Sequence, residues 1–167
     1  MATRSQILRK DQILSTLMMV RQDILVETSN LSRKQQQQQI FLGDWSILDL
    51  LAHLAGWDRA NLDAVKSVLD GQIPAFYEYH DRDWQTYNAI LVKKYGKDSF
   101  KELIASVKTS HKTLIEFLQA LPPENFTTDF GVRFRGYKVT IQRLLEAEAK
   151  DEQVHYRQIT GFFKDLK

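Results

Sequence analysis

The sequence has no cysteine, which excludes disulfides, thiolate metal ligands and a cysteine nucleophile, and leaves nitrogen and oxygen as the donors for any bound cation. It has no uninterrupted apolar run near the roughly 18 residues that a membrane span requires. Its first residues, MATRSQILRKDQ, lack the apolar stretch of a secretory signal. Charge of one sign is not in surplus either. Lysine and arginine number 23 against 21 aspartates and glutamates, a net +2 with neutral histidines, and the two signs are interleaved, so no nucleic-acid surface is expected. These absences describe a cytoplasmic protein with neither a membrane nor a nucleic acid as partner. The 167 residues suit one domain, 1–167, large enough to bury a core without staples.

Proline is scarce, and its three positions, Pro74, Pro122 and Pro123, fall where helical patterns stop. Ile13, Leu17, Val20, Ile24 and Leu31 recur at helical spacing and predict a first helix over about 5–31. Ser46 with Asp49 three residues on makes a capping box, and Trp45 before it can staple onto Leu50, so a second helix should run to about Asp70, before Gly71 and Pro74. The glutamines of 35–39, between the two, read as a solvated helix end or a loop. After the aromatic connection AFYEYHD, Asp81 or Asp83 can cap a short helix carrying Trp84, Tyr87, Leu91 and Tyr95, stopped by Gly96. Ser99 and Glu102 open a fourth helix that ends at the proline pair. Residues 124–138 read as a loop with at most a small extended excursion, and the last helix begins near Thr140. Five helical segments without convincing strand pairs predict an all-α protein, a four-helix bundle with one short extra helix.

The chemistry-bearing residues interrupt apolar stripes. At about 100° per residue, His53 falls at the edge of the stripe made by Ile47, Leu51, Leu54 and Val65. On the last helix Ile141, Leu144, Leu145, Ile159, Phe162 and Phe163 define the core face, and Glu148, Asp151, Glu152 and His155 lie within the same arc. An unpaired buried carboxylate costs several kcal/mol or takes up a proton, so this cluster needs compensation, from a divalent cation or from an arginine or histidine on a neighbouring helix. Asp151 and His155 stand at i and i+4, the spacing at which two side chains reach one ion, and His53 can add a third ligand. With zinc such a set is a catalytic-type site, and with ferrous iron or nickel a facial triad. A buried histidine–carboxylate ion pair explains the same pattern equally well.

WSILDLLAHLAGWD in the second helix and DEQVHYRQI in the last resemble the two signature helices of the DinB-like superfamily. The resemblance covers essentially the whole chain. It implies a four-helix bundle whose metal is held by His53 from the second helix and by Asp151 and His155 from the last, His155 being followed by Gln158-Ile159 in the superfamily manner. Asp151 departs from the histidine of many members and matches the carboxylate of the thiol-dependent maleylpyruvate isomerases. The central region, DWQTYNAILVKKYGKDSFKELIASVKTSHKTLIEFLQALPPE, is similar to the ClbS/DfsB branch, in which the second-helix histidine can be lost together with the metal.

The resemblance implies a metal-dependent hydrolase or thiol transferase acting on a small reactive substrate in detoxification. Zinc or nickel would be its ion, with iron an alternative, and a low-molecular-weight thiol and a homodimeric partner are implied with it. The alternative is a metal-free ClbS/DfsB-like binding or resistance protein. Glu148 and Glu152 are the candidates for moving protons, and Glu148 is also a candidate for orienting His53 or His155. His111 is read as a core histidine, His80 as exposed, and Asp58 as the ion-pair partner of an arginine, Arg143 or Arg21. Trp57, Trp84, Tyr79 and Tyr87 are core residues unless a site opens toward the 75–83 loop, where some of them would line it.

Overall fold

The computed structural model describes residues 1–37, 42–79 and 84–164. His80, Asp81, Asp83 and the last glutamines of the 35–39 run lie outside these residues. Six helices are present among them: α1 (Arg4–Ser29), α2 (Arg33–Gln37), α3 (Ile47–Leu69), α4 (Trp84–Tyr95), α5 (Phe100–Ala120) and α6 (Ile141–Lys164). The all-α expectation holds, with one more short helix than the sequence suggested. The difference is α2, one turn inside the glutamine run, anchored where the Ser32 hydroxyl accepts from the Gln35 amide and the Gln35 side chain accepts from the Ser32 amide. The connection before α6 contains a two-residue hairpin, β1 (Arg133–Phe134) with β2 (Tyr137–Lys138). Arg135 (φ 50°) and Gly136 (φ 82°) form its turn, and two successive positive φ values match the right-handed twist of the strands.

Helix boundaries follow from capping chemistry. Ser46 accepts from the Asp49 amide while Asp49 accepts from the Ser46 amide, the reciprocal box that the sequence predicted. Ser99 likewise accepts from the Glu102 amide. α3 ends where Gly71 takes φ +71°, a conformation that costs glycine nothing, and the Gln72 amide then reaches the Ser67 carbonyl at 2.8 Å. Gly56, inside α3, has a different reason to be glycine. A Cβ there would stand 2.8 Å from Leu91 Cβ, so its absence lets α4 seat directly on α3.

The four long helices bury two apolar clusters, one at each end of the bundle. One contains Ile13, Leu17, Val65, Val68, Leu114, Leu118, Ile141 and Leu145; the other contains Ile24, Leu50, Leu51, Leu54, Leu103, Val107, Ile159 and Phe163. Along each helix the residues between them are polar and buried: Arg21 on α1, Asp58 and Asn61 on α3, Ser110 on α5, and Glu148, Glu152 and His155 on α6. The membership of the clusters also gives helix directions. The start of α3 meets the end of α6 and the end of α3 meets the start of α6, so these two helices are antiparallel. α1 packs along α6 and α3 along α5, whereas α3 and α6 touch more sparingly. The gap between α3 and α6 is where the site lies.

Candidate metal centre and pocket

The polar layer divides into two groups with opposite electrostatics. In the first, Arg21 reaches across the bundle and donates to both oxygens of Asp58 (2.8 and 2.9 Å) and to both oxygens of Glu152 (3.2 and 2.5 Å). The Ser110 hydroxyl donates to Asp58 at 2.6 Å, and His111 Nδ1 stands 3.6 Å from Asp58. Burial alone would raise the Asp58 pKa; the Arg21 charge and its hydrogen bonds, with His111, overcome it and hold the carboxyl well below the usual range. Arg21 is correspondingly raised: its burial, the largest single influence, is outweighed by Asp58 and Glu152. Ligand atoms of Asp58, His111 and Glu152 approach one another closely enough to share an ion, but the guanidinium already supplies the positive charge there.

The second group has no such cation. His53 on α3 and Asp151 and His155 on α6 bring one ligand atom each within 4.8 Å of one another. Asp151 Oδ2 is 3.2 Å from His155 Nε2 and 4.0 Å from His53 Nε2. Donors about 2.05 Å from a tetrahedral ion stand roughly 3.4 Å apart, so a small inward movement would complete the set. Both ring nitrogens of His53 and Nε2 of His155 are buried without a hydrogen-bond partner among the described residues, a costly arrangement for polar atoms unless another ligand engages them. The donor set therefore fits a divalent cation.

The two imidazoles are held differently. His155 Nδ1 lies 2.9 Å from Gln158 Oε1, and in the tautomer with the proton on Nδ1 this bond leaves the Nε2 lone pair for a metal. His53, only 2 % exposed, is fixed by rings instead: Trp45 at 5.0 Å, His155 at 5.1 Å and Trp57 at 6.3 Å between centroids. Trp45, expected to staple the helix start, thus also backs the site. Burial, together with the neighbouring His155 and Arg21, pushes the His53 pKa down to about 3 against the pull of Asp151, so its imidazole is neutral and ligand-competent at physiological pH. For His155 burial again opposes the charge, but Asp151, Gln158 and Glu152 prevail and raise the value.

His53 and Asp151 open onto a cavity of about 460 Å³, also lined by Trp57, Asn61, Phe76, Tyr77, Trp84, Arg143 and Glu148 among others. Some of the aromatic residues read as core or lining are thus lining, as a site opening toward the 75–79 turn requires. Asp151 lies within the core arc of the helical wheel, yet its side chain is 55 % exposed and stands at the rim of the cavity.

The two proton-transfer candidates separate. Glu152, one of them, is buried, bound by Arg21 and not among the residues lining the cavity. Glu148 faces the cavity, but it hydrogen-bonds neither histidine, since His53 is unpartnered and His155 Nδ1 is taken by Gln158. Burial first, then the nearby carboxylates of Glu152, Asp58 and Asp151, raise its pKa well above the ordinary value against the pull of Arg21. An acid whose folded pKa is raised lowers stability above its unfolded value, near pH 4.3. Glu148→Gln should therefore raise the melting temperature of the metal-free protein at pH 7 and leave it unchanged below about pH 4; melts across that range check it.

The DinB superfamily profile matches residues 16–159. The chain belongs to the DinB superfamily. Three solved structures share the fold of this DinB protein at low identity. An uncharacterised protein from Escherichia coli UTI89 has a TM-score of 0.74 at 14% identity, with 94% of each chain covered. A protein from Streptococcus pneumoniae has 0.73 at 11%, covering 93% of this chain and 90% of its own. An uncharacterised protein from Clostridium difficile 630 has 0.70 at 14%, covering 93% and 95%. No curated protein matches the sequence significantly. No helix among the described residues of this DinB protein is long and apolar enough to cross a membrane.

What the sequence missed lies around the centre. Gln158 entered only as part of a family pattern, yet its Oε1 is the partner of His155 Nδ1; its i, i+3 spacing was the available signal. Asn61 gave none, since an asparagine two turns after His53 looks like any helix-face residue.

Proposed function

We propose that this DinB protein is a metal-dependent enzyme, a hydrolase or thiol transferase acting on a small reactive substrate, with His53, Asp151 and His155 as the ligands of a divalent cation. The observation that carries the reading is the convergence of unpartnered imidazole nitrogens and a carboxylate on one point at the edge of a cavity. Zinc or nickel suits two nitrogens and one oxygen with positions left open, and iron is the alternative. Bound there, the cation would supply Lewis acidity and a nucleophile deprotonated near neutral pH.

The remaining work falls to the chain. Gln158 keeps the His155 proton on Nδ1. Glu148 faces the cavity with its pKa raised by burial, and can act as the acid toward a leaving group. The aromatic wall of Trp57, Phe76 and Trp84 excludes water from the reacting centre. With no cysteine in the chain, a thiol nucleophile has to arrive as a low-molecular-weight cosubstrate. The metal-free binding reading is favoured by the cavity, whose aromatic lining needs no ion to hold a ligand.

Turnover separates the two. Protein purified without chelator is assayed with an aryl ester, and with an aryl halide plus thiol, before and after metal stripping. Loss of turnover on stripping and recovery with zinc or nickel is the expected result. Rates no higher than background in both stripped and loaded protein would leave only the binding reading, and equal rates above background would overturn the metal's role.

A further inference from the structure

We infer that the cavity takes a flat organic acid: its oxyanion held by Arg143 and Asn61, its planar apolar body against Trp57, and its reactive end toward His53. The inference rests on the reading of this cavity as the substrate site, and it concerns the end away from the metal ligands.

Because α3 and α6 are antiparallel, Asn61 and Arg143 share that end. His53, Trp57 and Asn61 follow one another four residues apart on α3. Asp151 and Arg143 are likewise eight residues apart on α6, roughly 12 Å of helix rise. A ligand spanning the cavity therefore has one end among the imidazoles and the other beside Arg143, with about two fused rings between.

The polar groups at the far end are in want of an acceptor. Asn61 is 2 % exposed and its Nδ2 has no hydrogen-bond partner among the described residues; leaving such a donor unmade is costly, so a ligand oxygen is its natural partner. Arg143 donates to the Lys138 carbonyl at 3.0 Å but has no carboxylate partner among the described residues. The nearby acids are taken: Asp129 by Arg133 and Lys138 (2.7 and 3.2 Å), and Glu146 by Gln142 and Arg9 (2.9 and 3.5 Å). Lys138, paired with Asp129, also lines the cavity beside Arg143, while Asp151 stands eight residues along α6 from Arg143. Burial among other carboxylates raises the Glu148 pKa well above the ordinary value, which weakens its opposition to an anion.

The middle of the cavity is apolar by construction. The Trp57 indole N–H is already given to Asn88 Oδ1 at 2.9 Å, so the ring offers a ligand only its faces and edges. Phe76 and Trp84 surround it at 5.4 and 5.5 Å between centroids. This is the geometry that receives a planar body by offset or edge contact, and the volume is that of a small-molecule site.

The test uses metal-free protein, so that a carboxylate cannot be drawn to an ion, and isothermal calorimetry with 2-naphthoate and its neutral isostere 2-naphthamide. Naphthoate should bind about tenfold tighter, the increment of one charge-assisted contact. Arg143→Gln, at an exposed position, should bring naphthoate to the level of naphthamide and leave the amide unchanged. Asn61→Leu should weaken both, since each offers a carbonyl oxygen. Equal affinity of the two ligands, or no effect of Arg143→Gln on naphthoate, overturns the inference. Neither result depends on metal, since both are read on the metal-free protein. A failure here is thus distinct from a failure of the metal reading.

Discussion

His155→Ala should abolish the thermal stabilisation that zinc or nickel is expected to give the wild-type protein. A cation present at 100 times its dissociation constant stabilises the state that binds it by about 2.7 kcal/mol. For a chain of this size that is a rise of about 5–10 °C in melting temperature. The increment depends on three donors closing on one point, and the variant leaves only His53 and the exposed Asp151. The metal-dependent difference is the readout, not the melting temperature itself, because losing a buried imidazole also changes the metal-free protein. His53→Ala should behave alike. Gln158→Ala, which frees the His155 ring to change tautomer or turn, should weaken metal affinity by about 10–100-fold without abolishing it. If His155→Ala keeps the full increment, the ion is bound elsewhere and the cluster is a histidine–carboxylate pair.

The bundle was readable because its signals are local. A capping box at Ser46, prolines after α3 and α5, and apolar residues at three and four each act within one or two turns, so the chain announces them without its partners. The candidate centre was readable for a related reason: Asp151 and His155 sit one turn apart, and only His53 had to be supplied from elsewhere. The assignments that changed were those fixed by long-range contacts. Glu148 and Glu152 share the core arc of α6 on a helical wheel, but whether each meets a cavity or a guanidinium depends on α1, more than a hundred residues away. Asp151 lies in that arc too, yet its side chain is half exposed at the rim of the cavity. Asn61 and Arg143 carry no periodic signature at all; their significance appears only when the antiparallel pairing of α3 with α6 brings them to one end of the cavity.

Arg21→Met should be the most destabilising single change in the protein, at about 3–5 kcal/mol, a large share of a typical domain's stability. The guanidinium is 1 % exposed and meets two carboxylates that are each 1 % exposed, so its removal strands negative charge between the apolar clusters. The pH dependence gives a second reading of the same contact. In the wild type the folded pKa of Asp58 is held below its unfolded value. Its contribution is therefore complete above about pH 4 and is lost only as pH falls through the depressed folded value. In the variant the burial that already acts on Asp58 is no longer opposed by Arg21, its pKa rises, and the penalty is greatest at neutral pH. The gap between the two proteins, measured from urea midpoints, should accordingly narrow from pH 7 toward pH 4. Replacing all three members together, Arg21→Met with Asp58→Leu and Glu152→Met, should recover most of the loss, because apolar packing then takes the place of a desolvated network. A cost below about 1 kcal/mol for Arg21→Met, the value of an exposed pair, would mean that water reaches this layer and that the polar section of the bundle is not sealed as its geometry implies.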